Sequence, residues 1–206
     1  MFLVVGVGNI LLSDEGIGVH LVRDIEKENI FENTIFVDLG TSSFDIISYL
    51  NEDSIFFNKK NDDNLNGKNY KKYKNYKNFE SHSKDIKKVD KDADNKRFIE
   101  KLVIIDSIIA KDISPGSVLK LSLEDLKKRQ KTNFSLHQIE LVDSLKLSML
   151  DSEFHQTMFP QTMILGVVPY NISKFSIELS SKLKILYPNI LEKVKREIIS
   201  FFNPSF

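Results

Sequence analysis

Hydrophobic positions along this chain fall into two alternating rhythms. Residues 2–6 (FLVVG) form a short unbroken apolar run rich in β-branched side chains, the pattern of a strand buried on both faces. From residue 16 to 27 the period lengthens, and Ile17, Leu21, Val22 and Ile25 recur every three to four positions with charges between them. That spacing predicts an amphipathic helix, and a strand followed by a helix opens an α/β domain. The rhythm then repeats. Residues 33–37 (NTIFV) predict a second strand ending at Asp38, after which Ser42 and Asp45 stand at capping-box spacing ahead of Ile46, Ile47 and Leu50. Residues 102–105 (LVII) predict a third strand ending at Asp106, and 117–121 (SVLKL), shorter and more polar after the Pro115-Gly116 turn, an edge strand. In SLHQIELVDSLKLSML, Ser135 and Gln138 occupy the N-cap and N3 positions of a helix whose stripe is Ile139, Val142, Leu145 and Met149. Residues 162–168 (TMILGVV) predict the last strand, closed by Pro169, and 180–202 a final helix that Pro188 should kink or split.

One stretch departs from both rhythms. From about Asn58 to Lys96 the chain is Asn, Lys and Asp with scattered tyrosines, too poor in aliphatics to offset the entropy of ordering. Its lysine-tyrosine interleaving resembles a strip for single-stranded nucleic acid, but nearby acids offset the charge, and a low-complexity surface insertion is the simpler reading. The remainder, within 206 residues, suits one domain, 1–206. Lys plus Arg balance Asp plus Glu at 29 each, leaving no electrostatic footprint for nucleic acid or an anionic membrane. With no cysteine, thiolate metal sites and cysteine nucleophiles are excluded and an oxidising compartment gains no support. No apolar run approaches the roughly 18 residues of a spanning helix, so the expected location is the cytoplasm.

The chemistry concentrates in GVGNILLSDEG, residues 6–16. Gly6 and Gly8 match a dinucleotide fingerprint, but Leu11 holds the third glycine position, and Asp14 and Glu15 would point negative charge at a phosphate. A nucleotide-dependent oxidoreductase is disfavoured. A carboxylate at the start of a helix is instead held ionised by the macrodipole and free amides, which readies Glu15 for a cation, whereas Asp14 or Ser13 can simply cap the helix. Parallel strands deliver their following loops to one edge, so Glu15, Asp38 and Asp106 should converge there. His137 sits at the second position of its helix, where the dipole keeps imidazole neutral, as a metal ligand must be. Two carboxylates and an imidazole suit nickel or zinc with open positions. His20, five residues after Glu15, points about 140° around the helix from it and is no fellow ligand; His82 falls in the insertion and His155 in a loop of uncertain path.

Six segments together carry a resemblance: GVGNILLSDEGIGV at 6–19, VDLGTSS at 37–43, LVIIDSI at 102–108, PGSV at 115–118, SLHQIELVDSL at 135–145 and GVVP at 166–169. In these the chain resembles the [NiFe] hydrogenase maturation endopeptidases. The resemblance implies a three-layer α/β/α sandwich around a small, mostly parallel twisted sheet of about five strands. It implies removal of a C-terminal extension from the hydrogenase large-subunit precursor after nickel has entered, the nickel being carried by the substrate and no nucleotide being needed. The metal-contacting acid falls on Glu15, the strand-end aspartate on Asp106 and the helix-start histidine on His137; Glu15 and Asp106 are also the catalytic candidates. Asp38, Gly40 and Thr41, with Gly8 and Asn9, would shape the peptide groove. A leucine, Leu39, stands where the family commonly has a second glycine, and the insertion is not a family feature. A monomer meeting its substrate transiently is expected, without nucleic acid or membrane. Water could be activated by the metal or by a carboxylate; a non-catalytic nickel-sensing chaperone would use the same three groups only for binding.

Overall fold

The computed structural model describes residues 1–50, 98–125, 136–154 and 158–203, with the side chains of 136–139 and 154 outside that description. The insertion at 58–96, with His82, and likewise His155 and the cap residue Ser135, lie outside the described residues.

Five strands make one sheet in the order β2-β1-β3-β5-β4: β1 (Phe2–Val7), β2 (Thr34–Gly40), β3 (Lys101–Ser107), β4 (Val118–Leu121) and β5 (Gln161–Val167). The first, second, third and fifth run parallel; β4 is antiparallel to β5 and occupies the edge, where its shorter, more polar sequence belongs. Val4 is registered with Phe36 on one side and Val103 on the other, and Val103 in turn with Met163, so apolar residues cross the sheet in rows.

Alternation sends these strands into two cores. Val4, Val103, Ile105, Met163 and Leu165 pack against α1 (Ile17–Glu28) and a C-terminal helix; Leu3, Val5, Leu102, Ile104 and Ile164 pack on the opposite face against a third helix and the segment after β2. Helices therefore cover both faces, the three-layer α/β/α arrangement. The predicted Ile17, Leu21, Val22 and Ile25 of α1 are all buried, with Val19 beside them, and the helix ends at Asn29 in the left-handed conformation, φ 51°.

Two local expectations are corrected. The segment after β2 is a 3-10 turn (Ser43–Ile46) leading into the short α2 (Ile47–Leu50), and Ser42 makes no side-chain cap. In so tight a turn the Asp45 amide is already satisfied by the Ser42 carbonyl at 3.0 Å, which leaves a capping box nothing to bond. The C-terminal helix is also not split. After α3 (Leu136–Phe154), the helix α4 runs unbroken from Ser181 to Phe202, capped by Ser180 and carrying Pro188 inside. Pro188 and the Lys184 it deprives of a hydrogen bond lie on the exposed side, where water replaces the partner. Leu183, Ile190, Val194, Ile198 and Phe202 hold the other side in the core.

Candidate functional site at the carboxyl edge of the sheet

From β1 the chain goes first to β2 on one side and then to β3 on the other, so its direction of travel reverses between β1 and β3. In an open α/β sheet that point forms a crevice at the carboxyl ends of the strands. The loop after β1 fills it. A side chain at Gly6 would collide with the Gly18 carbonyl, and one at Gly18 with the backbones of Val7 and Ile105. These glycines seat the first turn of α1 directly across β1 and β3.

Gly8 has another task. Its φ is 138°, and a Cβ there would run into the carbonyl oxygen of Glu15. Close approach is needed, as in a dinucleotide loop, but the group approaching is the protein's own peptide. The loop thus folds back on itself, and Ser13–Gly16 form a 3-10 turn before α1 begins. Glu15 lies in that turn, rather than in the helix proper, and is 8 % exposed. The turn packs against β3, whose penultimate residue, Asp106, is 2 % exposed and registered with Gly166. The Ser107 amide donates to Asp106 Oδ1 at 2.7 Å, a bond that orients the carboxyl group. Strand alternation puts Asp106 on the face of Leu102 and Ile104, the face that α3 covers.

His137 is the second described residue of α3, and the residues before Leu136 lie outside the description. Its side chain is not among those described. Among the described residues no three His, Asp or Glu side chains gather as a metal-holding group. The structure thus brings the turn of Glu15 onto the strand of Asp106.

The expected groove residues adjoin them. The Gly8 amide donates to the Gly40 carbonyl at 2.8 Å, so the loops after β1 and β2 lie side by side. Asn9 is used within its own loop, accepting from the Leu11 amide at 3.0 Å. Asp38 accepts from Arg23 Nε at 2.8 Å and from the Gly40 amide at 2.9 Å, which ties the turn to α1. Leu39 is buried in the second core, explaining a leucine there, while Gly40 takes the left-handed conformation with φ 52° and Thr41 is exposed beside it.

Asp14 corrects an expectation. It does not cap α1, and neither does Ser13. Its carboxylate, 0 % exposed, accepts from the amides of Tyr170, Asn171 and Ser180 at 3.0, 2.9 and 2.7 Å and from the Ser180 hydroxyl at 2.8 Å. Ser180 is itself the cap of α4. The segment 170–180 is thereby strapped across the loop of Glu15. Further bonds reinforce it: Ser13 N to Ser176 O (2.8 Å), Ser176 N to Leu11 O (2.9 Å) and the Ser13 hydroxyl to Glu178 O (3.1 Å). Sequence reasoning missed this strap; its only signal was the polar run after Pro169.

Beside the strap, between α1 and α4, is a cavity of about 320 Å³ lined by His20, Asp24, Tyr187 and the strap residues Ile177 to Leu179, with Lys184 at the wall. Tyr187 donates to Asp24 Oδ2 at 2.7 Å, and burial together with that carboxylate pushes the phenol well above its usual range. Burial, then the nearby Arg23 cation, holds His20 below the ordinary imidazole value, and its Nε2 is buried without a hydrogen-bond partner. His20 is accordingly a neutral group outside the Glu15 site, as its angle on the helix predicts.

A family model described as hydrogenase maturation protease matches residues 86–197. The Hydrogenase 2 maturation protease of Escherichia coli K12 is 24% identical over 193 residues, 93% of this chain and 87% of that protein. A Methanocaldococcus jannaschii protein, described as a candidate hydrogenase maturation protease, is 23% identical over 145 residues; the match spans 70% of this chain and 64% of that protein's length. Among solved structures, the hydrogenase maturating endopeptidase HybD of E. coli superposes with a TM-score of 0.61 at 22% identity, covering 94% of this chain and 88% of that one. The [NiFe] hydrogenase maturation protease HybD of Thermococcus kodakarensis gives 0.59 at 21%, covering 95% and 98%. The structural likenesses bear on the fold. With the family model covering more than half of the chain, the protein belongs to the hydrogenase maturation protease family, a family of peptidases.

Proposed function

We propose that the protein is an endopeptidase that removes the C-terminal extension of a [NiFe] hydrogenase large-subunit precursor after nickel insertion. The observation that carries the reading is the buried turn of Glu15, folded back over Gly8 and packed on the strand that ends with Asp106 at the reversal point of the sheet. Glu15, Asp106 and His137 contact nickel brought by the substrate, so that an unloaded precursor is not engaged productively. A carboxylate or the nickel itself activates water for attack on the scissile carbonyl; the proton taken from water passes to the leaving amine as the peptide C–N bond breaks. Gly8, Asn9, Gly40 and Thr41 border the peptide groove, with Asp38 holding the turn through Arg23. The enzyme acts as a cytoplasmic monomer.

The test is to incubate the purified protein with nickel-loaded and nickel-free precursor and to weigh the large subunit by mass spectrometry. Shortening of the loaded form alone is expected; a bound but uncut loaded precursor would indicate a chaperone instead. Asp106→Asn should reduce cleavage by about 10²–10⁴ while circular dichroism stays unchanged. Normal cleavage by that variant would remove the role assigned to Asp106.

A further inference from the structure

The two outer edges of the sheet are built differently. β4 offers only four residues, its Val118 carbonyl accepts from Lys193 Nζ at 3.2 Å, and Lys120 is tied to Glu197 of α4 at 3.5 Å. Short length and edge lysines are how natural sheets keep a further chain from pairing. β2 has neither. It runs from Thr34 to Gly40 without proline or lysine and keeps regular register with β1 from Thr34 to Asp38. The Phe2 amide donates to the Asn33 carbonyl at 2.9 Å, which fixes the phase of that ladder. Ile35 and Val37 therefore turn their main-chain groups to β1, while Thr34, Phe36 and Asp38 turn theirs outward. Among the described residues, no main-chain amide or carbonyl of these three has a partner. Thr34 to Val37 are all only partly buried, with Phe36 beside Phe31 on one face and Ile35 and Val37 on the other.

An edge of this kind presents donors and acceptors at every second residue, a pattern that an extended chain matches and a folded surface does not. A peptidase, for its part, must take the stretch that it cuts in extended form. We propose that the outer edge of β2, from Thr34 to Asp38, is the docking strand for the extended C-terminal segment of the client precursor. This rests on the peptidase reading above. Continuity with the candidate site argues for that occupant. Leu39 is an extra residue in the β2 register, and this bulge ends the pairing edge just where the Gly40 carbonyl accepts from the Gly8 amide. A segment leaving the edge at Asp38 thus meets the joined loops after β2 and β1. Being in the plane of the sheet, it is committed to neither face. From the docked segment across β2 and β1 to β3 is three strand spacings, about 14 Å, which roughly four extended residues span. The docked stretch and the scissile bond are accordingly about four residues apart in the client.

Amide exchange, read by NMR on the intact chain, tests this without cleavage. The probe is a synthetic peptide carrying the cleavage junction and extension of the precursor used in the cleavage assay, without nickel. In the free chain the amides of Thr34, Phe36 and Asp38 should exchange freely. With peptide bound they should slow at least tenfold, while those of Ile35 and Val37, already bonded to β1, stay slow throughout. Peptides N-methylated at successive single positions should lose affinity with a period of two. Phe36→Pro removes one outward amide, and Phe36→Ala controls for the lost ring. Peptide affinity should be about tenfold weaker in the proline variant than in the alanine one, and KM for whole loaded precursor about tenfold higher, with kcat within twofold. Outward amides protected before peptide is added would mean that the edge is already taken, by this chain or, if protection rises with protein concentration, by a second copy; either overturns the proposal. Absence of peptide binding, or binding that leaves those amides exchanging freely, overturns it equally. Failure of the wild-type chain to shorten loaded precursor, with the edge protected by peptide, would instead sink the peptidase reading and leave the docking edge standing.

Discussion

Asp14 and Glu15 are neighbours with opposite assignments. Both are buried acids in one 3-10 turn, yet the carboxylate of Asp14 is saturated by backbone and hydroxyl donors of the strap, whereas Glu15 is the acid proposed for chemistry. Their variants should separate accordingly. Asp14→Ala strands three amides and a hydroxyl, and urea denaturation should show a loss of about 2–4 kcal/mol. Glu15→Gln should leave the urea midpoint nearly in place and abolish precursor cleavage. Gly8→Ala forces a side chain into the Glu15 carbonyl at a positive φ, costing about 1–3 kcal/mol, and should impair cleavage more than helix content measured by circular dichroism. The glycine-acid pattern was legible because its residues are adjacent and each glycine has a specific collision to avoid. The partners of Asp14 were not, since they lie 156 to 166 positions away and are mostly main-chain amides, which carry no letter in the sequence.

Among the elements, α1 and α4 meet through a small polar cluster rather than apolar contact alone. Lys27 on α1 and Tyr187 on α4 both bond Asp24, and His20 lies one turn before it. Burial and Arg23 depress the His20 pKa in the fold, although the carboxylates of Asp24 and Asp38 oppose them. The unfolded chain therefore holds that proton more tightly than the native one. Stability contributed by His20 is complete above its ordinary pKa of 6.5 and declines as pH falls below it. Melting temperatures measured from pH 7.5 to 5 should fall, and His20→Gln should flatten the slope. Asp24, whose burial is outweighed by its bonds to Lys27 and Tyr187, adds a separate loss only at lower pH, near 3.8. Pro188→Ala restores an amide to an exposed helical turn and should raise stability by about 1–3 kcal/mol. Helix existence was readable from the apolar period of α1 and α4. The fate of Pro188 was not, because it depends on which side of α4 meets water, and that is fixed by packing.

The whole molecule divides its labour between the two edges of the sheet. At the amino ends of the strands, Phe202 stacks on Phe2 with ring centroids 4.3 Å apart, and Lys101 Nζ donates to the carbonyls of Phe201 and Phe202 at 2.8 and 3.2 Å. Phe202→Ala should cost about 3–5 kcal/mol yet leave kcat per folded molecule unchanged, since everything proposed for catalysis sits at the opposite edge. Strand runs bounded by turns disclosed the α/β class and the edge position of β4, and the family motifs agree with them. The strap lay beyond that reading because a single bridge, Leu12 to Ser176, leaves no periodic trace. It also sets an order of events on the ribosome. Glu15 is made early, but the amides that immobilise its turn belong to Tyr170, Asn171 and Ser180, so a nascent chain carries an unformed cleft until nearly the last helix emerges. On the peptidase reading, an unfinished copy then lacks the held turn that cleavage requires.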